Sequence, residues 1–152
     1  MKEGDPQRPV EILLVADNRM EATLLQMALL QEFHFPYRLH LVPDEAKAIA
    51  FLYRLPPYRE VPWPHFLIVD LHFPHGEGWN VLAAARTLPS HTDIPVVILT
   101  GGRARGNEGP TTQNEPTLCL LKPLNLAEYQ SLSRQLLQLV ALGTGSFLNE
   151  LH

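Results

Sequence analysis

The sequence predicts an α/β fold in a single domain, a parallel sheet flanked by helices. Two observations carry this expectation. Apolar runs of strand length alternate with stretches of helical spacing, and most of the runs are unbroken, as in strands covered on both faces. The chain has 152 residues, 45% of them hydrophobic, which is enough to bury a core and suits one domain better than two.

The elements follow in order. Residues 10–15 read as an apolar run of strand length, the first strand. Asn18 with Glu21 three residues later reads as a capping box, and Met20, Leu24, Met27 and Ala28 recur at helical spacing toward Phe33. Residues 37–42 alternate as a second strand, and Asp44 opens a helix carrying Ile49, Leu52 and Tyr53. Pro56, Pro57, Pro62 and Pro64 make a stiff linker. A third strand spans 66–69 and ends at Asp70, a helix covers 79–88, and a fourth strand covers 94–99.

A fourth helix is due next, but residues 101–116, "GGRARGNEGPTTQNEP", hold four glycines and two prolines and offer no apolar face. They read as a Gly/Pro-rich loop in its place. Residues 117–121 are a fifth strand, and Asn125 with Glu128 caps a last helix bearing Leu132, Leu136, Leu139 and Val140. The expected division is a disordered tail over 1–9, one domain over 10–142 and a C-terminal tail over 143–152.

Composition excludes several function classes. A net charge of −4 provides no basic field for nucleic acid or an anionic membrane. No apolar stretch approaches the roughly 20 residues of a membrane span. The single cysteine, Cys119, rules out an intrachain disulfide, and no signal peptide pattern opens the chain. These features predict a cytoplasmic protein.

Open α/β sheets bind ligands outside the carboxyl ends of their strands. Asp17, Asp70, Thr100 and Lys122 all stand at such ends. Two carboxylates suit a hard divalent cation such as Mg²⁺, which takes one or two of them and keeps several waters. A lysine opposite them pairs with a carboxylate or a phosphoryl oxygen, and a threonine hydroxyl donates to one.

Four segments, "ILLVADN", "LIVDLHFPHGEGWNVL", "IPVVILTGG" and "LLKPL", come in the order and spacing of a known module. The chain over 10–142 resembles a receiver domain of two-component signalling, which accepts a phosphoryl group from a histidine kinase onto an aspartate. The resemblance implies a flavodoxin-like, doubly wound sheet of strand order 2-1-3-4-5. It also implies that Asp70 is the phosphoacceptor, that Asp17, Asp70 and the backbone carbonyl of His72 meet Mg²⁺, that Thr100 senses the phosphoryl group and that Lys122 pairs with Asp70. In the implied reaction Asp70 attacks phosphorus in line, with Mg²⁺ and Lys122 balancing the charge.

Three departures from the family stand out: Ala16 replaces the first acid of its acidic pair, Cys119 replaces a switch aromatic, and the Gly-rich loop replaces the fourth helix. The loss at Ala16 weakens the field on the metal without removing either direct carboxylate, so the site is expected to be impaired rather than abolished. With about ten residues after the last helix, output is expected to run through protein contacts rather than through an enzymatic or DNA-binding domain.

Other readings compete with these. A pseudo-receiver would keep the fold as a protein-binding module without phosphorylation. An aspartate-nucleophile phosphatase needs a second acid two residues after the nucleophile, where His72 stands, and is set aside. His72 and His75 lack a third spaced ligand for a transition metal, and Arg103 and Arg105 in one loop read as solvated charges. The "LLQMALL" helix and the Pro-rich insert are similar to small receivers encoded with bacterial phytochromes, which implies a phytochrome-type histidine kinase, a downstream protein target and a homodimer through the last strand and helix.

Overall fold

Val10–Val15 forms β1 and is buried at every position, because a central parallel strand has no solvent face to alternate toward. In the computed structural model, which describes residues 8–70, 77–87, 94–100 and 117–143, it is followed by α1 (Arg19–Glu32), β2 (Tyr37–Val42), α2 (Glu45–Tyr53), β3 (Phe66–Asp70), α3 (Glu77–Arg86), β4 (Val96–Thr100), β5 (Thr117–Leu121) and α4 (Leu126–Gly143). The strands make one parallel sheet in the order β2-β1-β3-β4-β5, as expected. Chain order reverses between β1 and β3, the switch point at which such sheets open a crevice at their carboxyl edge. The predicted loop over 101–116 and both predicted tails, save Arg8, Pro9 and Gly143, lie outside the described residues.

Two boundaries differ from expectation. β4 begins at Val96 rather than at residue 94, because Pro95 has no N–H to give the ladder, although its carbonyl accepts from Leu67. The helix expected over 79–88 runs Glu77–Arg86.

Side-chain alternation divides the core in two. Ile12, Leu14, Ala16, Phe66, Ile68, Val97 and Leu99 pack under α1 and α4, while Leu13, Val15, Leu67, Val69, Val96 and Ile98 pack under α2 and α3. The buried stripe of α1 is Ala22, Leu25, Ala28 and Leu29. The expected stripe through Met20, Leu24 and Met27 is thus rotated, since Met20 and Met27 are exposed. A helix so rich in apolar residues does not declare its phase, and the contact with α4 selects it. Tyr53 of α2 likewise faces outward, hydrogen-bonded to Thr87, and Phe51 takes the core position instead. Among the described residues no helix is long and apolar enough to cross a membrane.

Candidate functional site

Asp70 ends β3 on the face that packs under α1 and α4, and only 2% of it is exposed. Lys122 lies just past β5, the neighbour of β4, and its ammonium is 3.1 Å from Asp70 Oδ2. A small pocket at this edge is lined by Leu14, Ala16, Glu21, Asp70, Lys122 and Tyr129, among others. Two of the expected residues, Asp70 and Lys122, are therefore in contact. Asp17 stands at the same carboxyl edge, one residue before the α1 cap, but is exposed and does not line the pocket. Thr100 closes β4, paired with Leu121, which puts its backbone at this edge. His72 lies outside the described residues, as does the side chain of Cys119.

Glu21 is the residue that sequence reasoning assigned to another task. The spacing Asn18 to Glu21 predicts a capping box, and half of it forms: Asn18 Oδ1 accepts from the Glu21 N–H at 3.1 Å. The Glu21 carboxylate, however, points to the sheet edge and lies 3.0 Å from Lys122 Nζ. The same motif at α4 behaves differently. Asn125 accepts from the Glu128 N–H, and the Glu128 carboxylate turns back to accept from Leu124 N–H at 2.8 Å. One signal could have found Glu21: it is a carboxylate one helical turn beyond a strand end that lacks an acid, at Ala16.

The electrostatics follow from burial. Desolvation raises the Asp70 carboxyl above the usual aspartate range; Lys122 opposes this, and the neighbouring Glu21 carboxylate adds to it. The Lys122 ammonium is also raised: burial disfavours its charge, but Glu21 and Asp70 outweigh burial. Burial, reinforced by Glu21 and Asp70, pushes the Tyr129 hydroxyl up to about 12, so it stays protonated at neutral pH. Asp70 Oδ1 is buried with no hydrogen-bond partner among the described residues. A buried carboxylate oxygen left over is unusual, and a hard cation is a fitting partner for it. Among the described residues no three His, Cys, Asp or Glu side chains stand together as a ready-made metal cluster. The pocket thus holds two carboxylates and one ammonium, an arrangement suited to receiving a phosphoryl group.

No family model matches the chain. It is 31% identical over 137 residues to the response regulator Rcp1 of Synechocystis sp., an alignment covering 90% of this chain and 86% of that protein. Among solved structures it is similar to the phosphorylated cyanobacterial phytochrome response regulator RcpA, with a TM-score of 0.67 and 25% identity over 85% of this chain and 91% of that one. It is also similar to the Mn²⁺-bound form of Rcp1, with a TM-score of 0.66 and 26% identity over 84% and 91%. The strand order, the buried Asp70 paired with Lys122 and these relatives agree, and the chain belongs to the response regulators of two-component signalling, with the fold of their receiver domain.

Proposed function

We propose that Asp70 accepts a phosphoryl group from a histidine kinase of the phytochrome type and that the chain passes the signal on through protein contacts. The observation that carries this reading is the buried Asp70 carboxylate, held by Lys122 through Oδ2 while Oδ1 is left without a protein partner among the described residues. Similarity to a phosphorylated phytochrome response regulator supports the choice of partner. The Asp70 carboxylate attacks phosphorus as the imidazole nitrogen of the kinase phosphohistidine departs in line, the N–P bond breaking as the O–P bond of an acyl phosphate forms. Lys122 carries the positive charge that meets the incoming phosphoryl oxygens.

Mg²⁺ fits the oxygen donors here, as the Mn²⁺-bound relative suggests. Asp70 and Asp17, with the His72 carbonyl, are the groups to hold it, and when bound it neutralises charge on the phosphoryl oxygens. Thr100 is the hydroxyl to contact the new phosphoryl group.

Incubation with acetyl phosphate and Mg²⁺, followed by intact-mass measurement, tests the reading. Wild type should gain one phosphoryl group and Asp70→Asn none. A wild-type protein that stays unmodified, and does not bind beryllofluoride with Mg²⁺ present, would make the chain a phosphorylation-independent binding module instead.

A further inference from the structure

We propose that Glu21 is a positioning residue for Lys122 that slows phosphoryl uptake by Asp70, the more so the more negative charge the donor carries. The inference rests on the reading of Asp70 as the phosphoacceptor. Asp17 and Asp70 remain the carboxylates that hold the metal in that reading, and Glu21 acts beside it through the lysine.

Three observations converge on it. The carboxylates of Glu21 and Asp70 take the same Lys122 ammonium, at 3.0 Å and 3.1 Å. Glu21 Oε1 and Asp70 Oδ1 are both buried, so salt and water screen these charges little. Glu21 lines the pocket that Asp70 and Lys122 line, whereas Ala16, at the strand end in the same lining, brings no charge. The two carboxylates also act on each other, since Glu21 is among the groups that push the Asp70 carboxyl upward.

Charge decides the consequence. Among the described residues lining the pocket, Asp70 and Glu21 bring two carboxylates and Lys122 one ammonium, so with all three ionised the pocket is negative before a donor arrives. A phosphoryl donor is itself an anion, and an ammonium already shared between two carboxylates has less attraction to lend to its oxygens. Glu21 does hold Lys122 in place, which favours transfer by limiting the freedom of a long side chain. That gain is the smaller effect, because repulsion between poorly screened like charges near contact exceeds the rotamer entropy of one lysine.

Two small donors separate charge from structure. With acetyl phosphate, an Asp70 carboxylate oxygen attacks phosphorus, the bond from phosphorus to the acetyl oxygen breaks and acetate leaves with the electron pair. With phosphoramidate the N–P bond breaks instead, and the protonated nitrogen leaves as ammonia with the electron pair. That protonated nitrogen gives phosphoramidate less net negative charge near neutral pH, so Glu21 should hinder it less.

The experiment follows uptake from each donor by intact mass in wild type and Glu21→Gln, with Mg²⁺ raised until the rate no longer depends on it. The substitution keeps the α1 cap, in which Asn18 accepts from the Glu21 backbone N–H. Glu21→Met stands in should thermal unfolding show Glu21→Gln to be misfolded. Removing the charge should raise the apparent second-order rate with acetyl phosphate on the order of tenfold, and the rate with phosphoramidate clearly less. Uptake from acetyl phosphate no faster than in wild type would overturn the inference and leave the reading of Asp70 intact. Equal acceleration with both donors would also overturn it, since a purely structural role alters the two alike. Absence of uptake from either donor, in wild type and variant together, would instead overturn the reading of Asp70 and the inference with it.

Discussion

Glu11 and Asp70 are the two carboxylates buried in the described part of the sheet, and they sit at its opposite ends. Glu11 lies near the amino end of β1, opposite Arg38 of β2 in the ladder. It accepts from Arg38 through both Nε and Nη2, and from His40 Nε2 at 2.8 Å. Its own backbone N–H donates to His65 Nδ1 at 2.8 Å, and its carbonyl accepts from the His65 N–H. Asp70, at the carboxyl end of β3, has Lys122 on one oxygen and no partner on the other among the described residues. Burial pushes both carboxyls upward. For Glu11 the Arg38 and His40 hydrogen bonds overcome that and leave it below the ordinary value, whereas for Asp70 burial prevails. A carboxylate with all its partners built in belongs to the scaffold, and one left under-partnered at the ligand edge is held ready for a partner from outside.

The largest test of that division is chemical. Asp70→Asn should abolish phosphoryl uptake from acetyl phosphate, while Glu11→Gln should retain it, measured by intact mass; uptake lost equally in both would mean that Glu11 is part of the reacting site. Stability should show the reverse ranking. Glu11→Ala removes the buried carboxylate that accepts from Arg38 and His40, and should lower the midpoint of urea unfolding. Asp70→Asn removes a charge that the fold pays to bury, so it should cost nothing and is expected to raise the urea midpoint.

The two residues should also respond to pH with opposite signs. The folded Glu11 carboxyl lies below its ordinary value of 4.5. Its stabilisation is therefore complete above pH 4.5 and is lost as pH falls through the folded value. Wild type should exceed Glu11→Gln in stability at neutral pH and lose that advantage in acid. The folded Asp70 carboxyl lies above its ordinary 3.8, so folding pays no penalty below pH 3.8 and an increasing one as pH rises through the folded value. The advantage of Asp70→Asn over wild type should then appear only above that range. Parallel curves for the two pairs, from urea unfolding at stepped pH, would erase the contrast.

The smallest effect concerns one donor at a time. His40→Leu should cost about 1 kcal/mol in urea unfolding, less than Glu11→Ala, because Arg38 continues to hold the carboxylate. A larger loss would locate the strength of this end in His40, which also packs against Phe51 with ring centroids 5.3 Å apart.

Residues such as Val10–Val15 and Phe66–Asp70 announced themselves because a strand covered on both faces is mostly apolar, with Glu11 and Asp70 the exceptions, a property of a few neighbouring residues. Polar residues that end such runs mark the carboxyl edge, which is why Asp17, Asp70, Thr100 and Lys122 were legible as candidates. Their separation into the contacting Asp70 and Lys122 and an exposed Asp17 was not, because burial depends on what α1 and α4 cover. The phase of α1 escaped for a related reason: with apolar residues nearly all around the helix, the pattern supports several faces, and packing against α4 chose Ala22, Leu25, Ala28 and Leu29.

Local pattern alone established the strands, the caps at Asn18, Asp44 and Asn125, and the identity of the carboxyl edge, since all of these are set by residues within one or two turns of each other. Where a long side chain spends its charge depends on groups distant in sequence. Glu21 and Glu128 carry the same motif, yet only Glu21 has a lysine 101 positions away brought within reach, and only it leaves its cap for the sheet edge. Glu11 meets Arg38 because parallel pairing of β1 with β2 sets them opposite each other. Ion pairing is strong only at contact distance, and contact between such residues exists only once the sheet has formed.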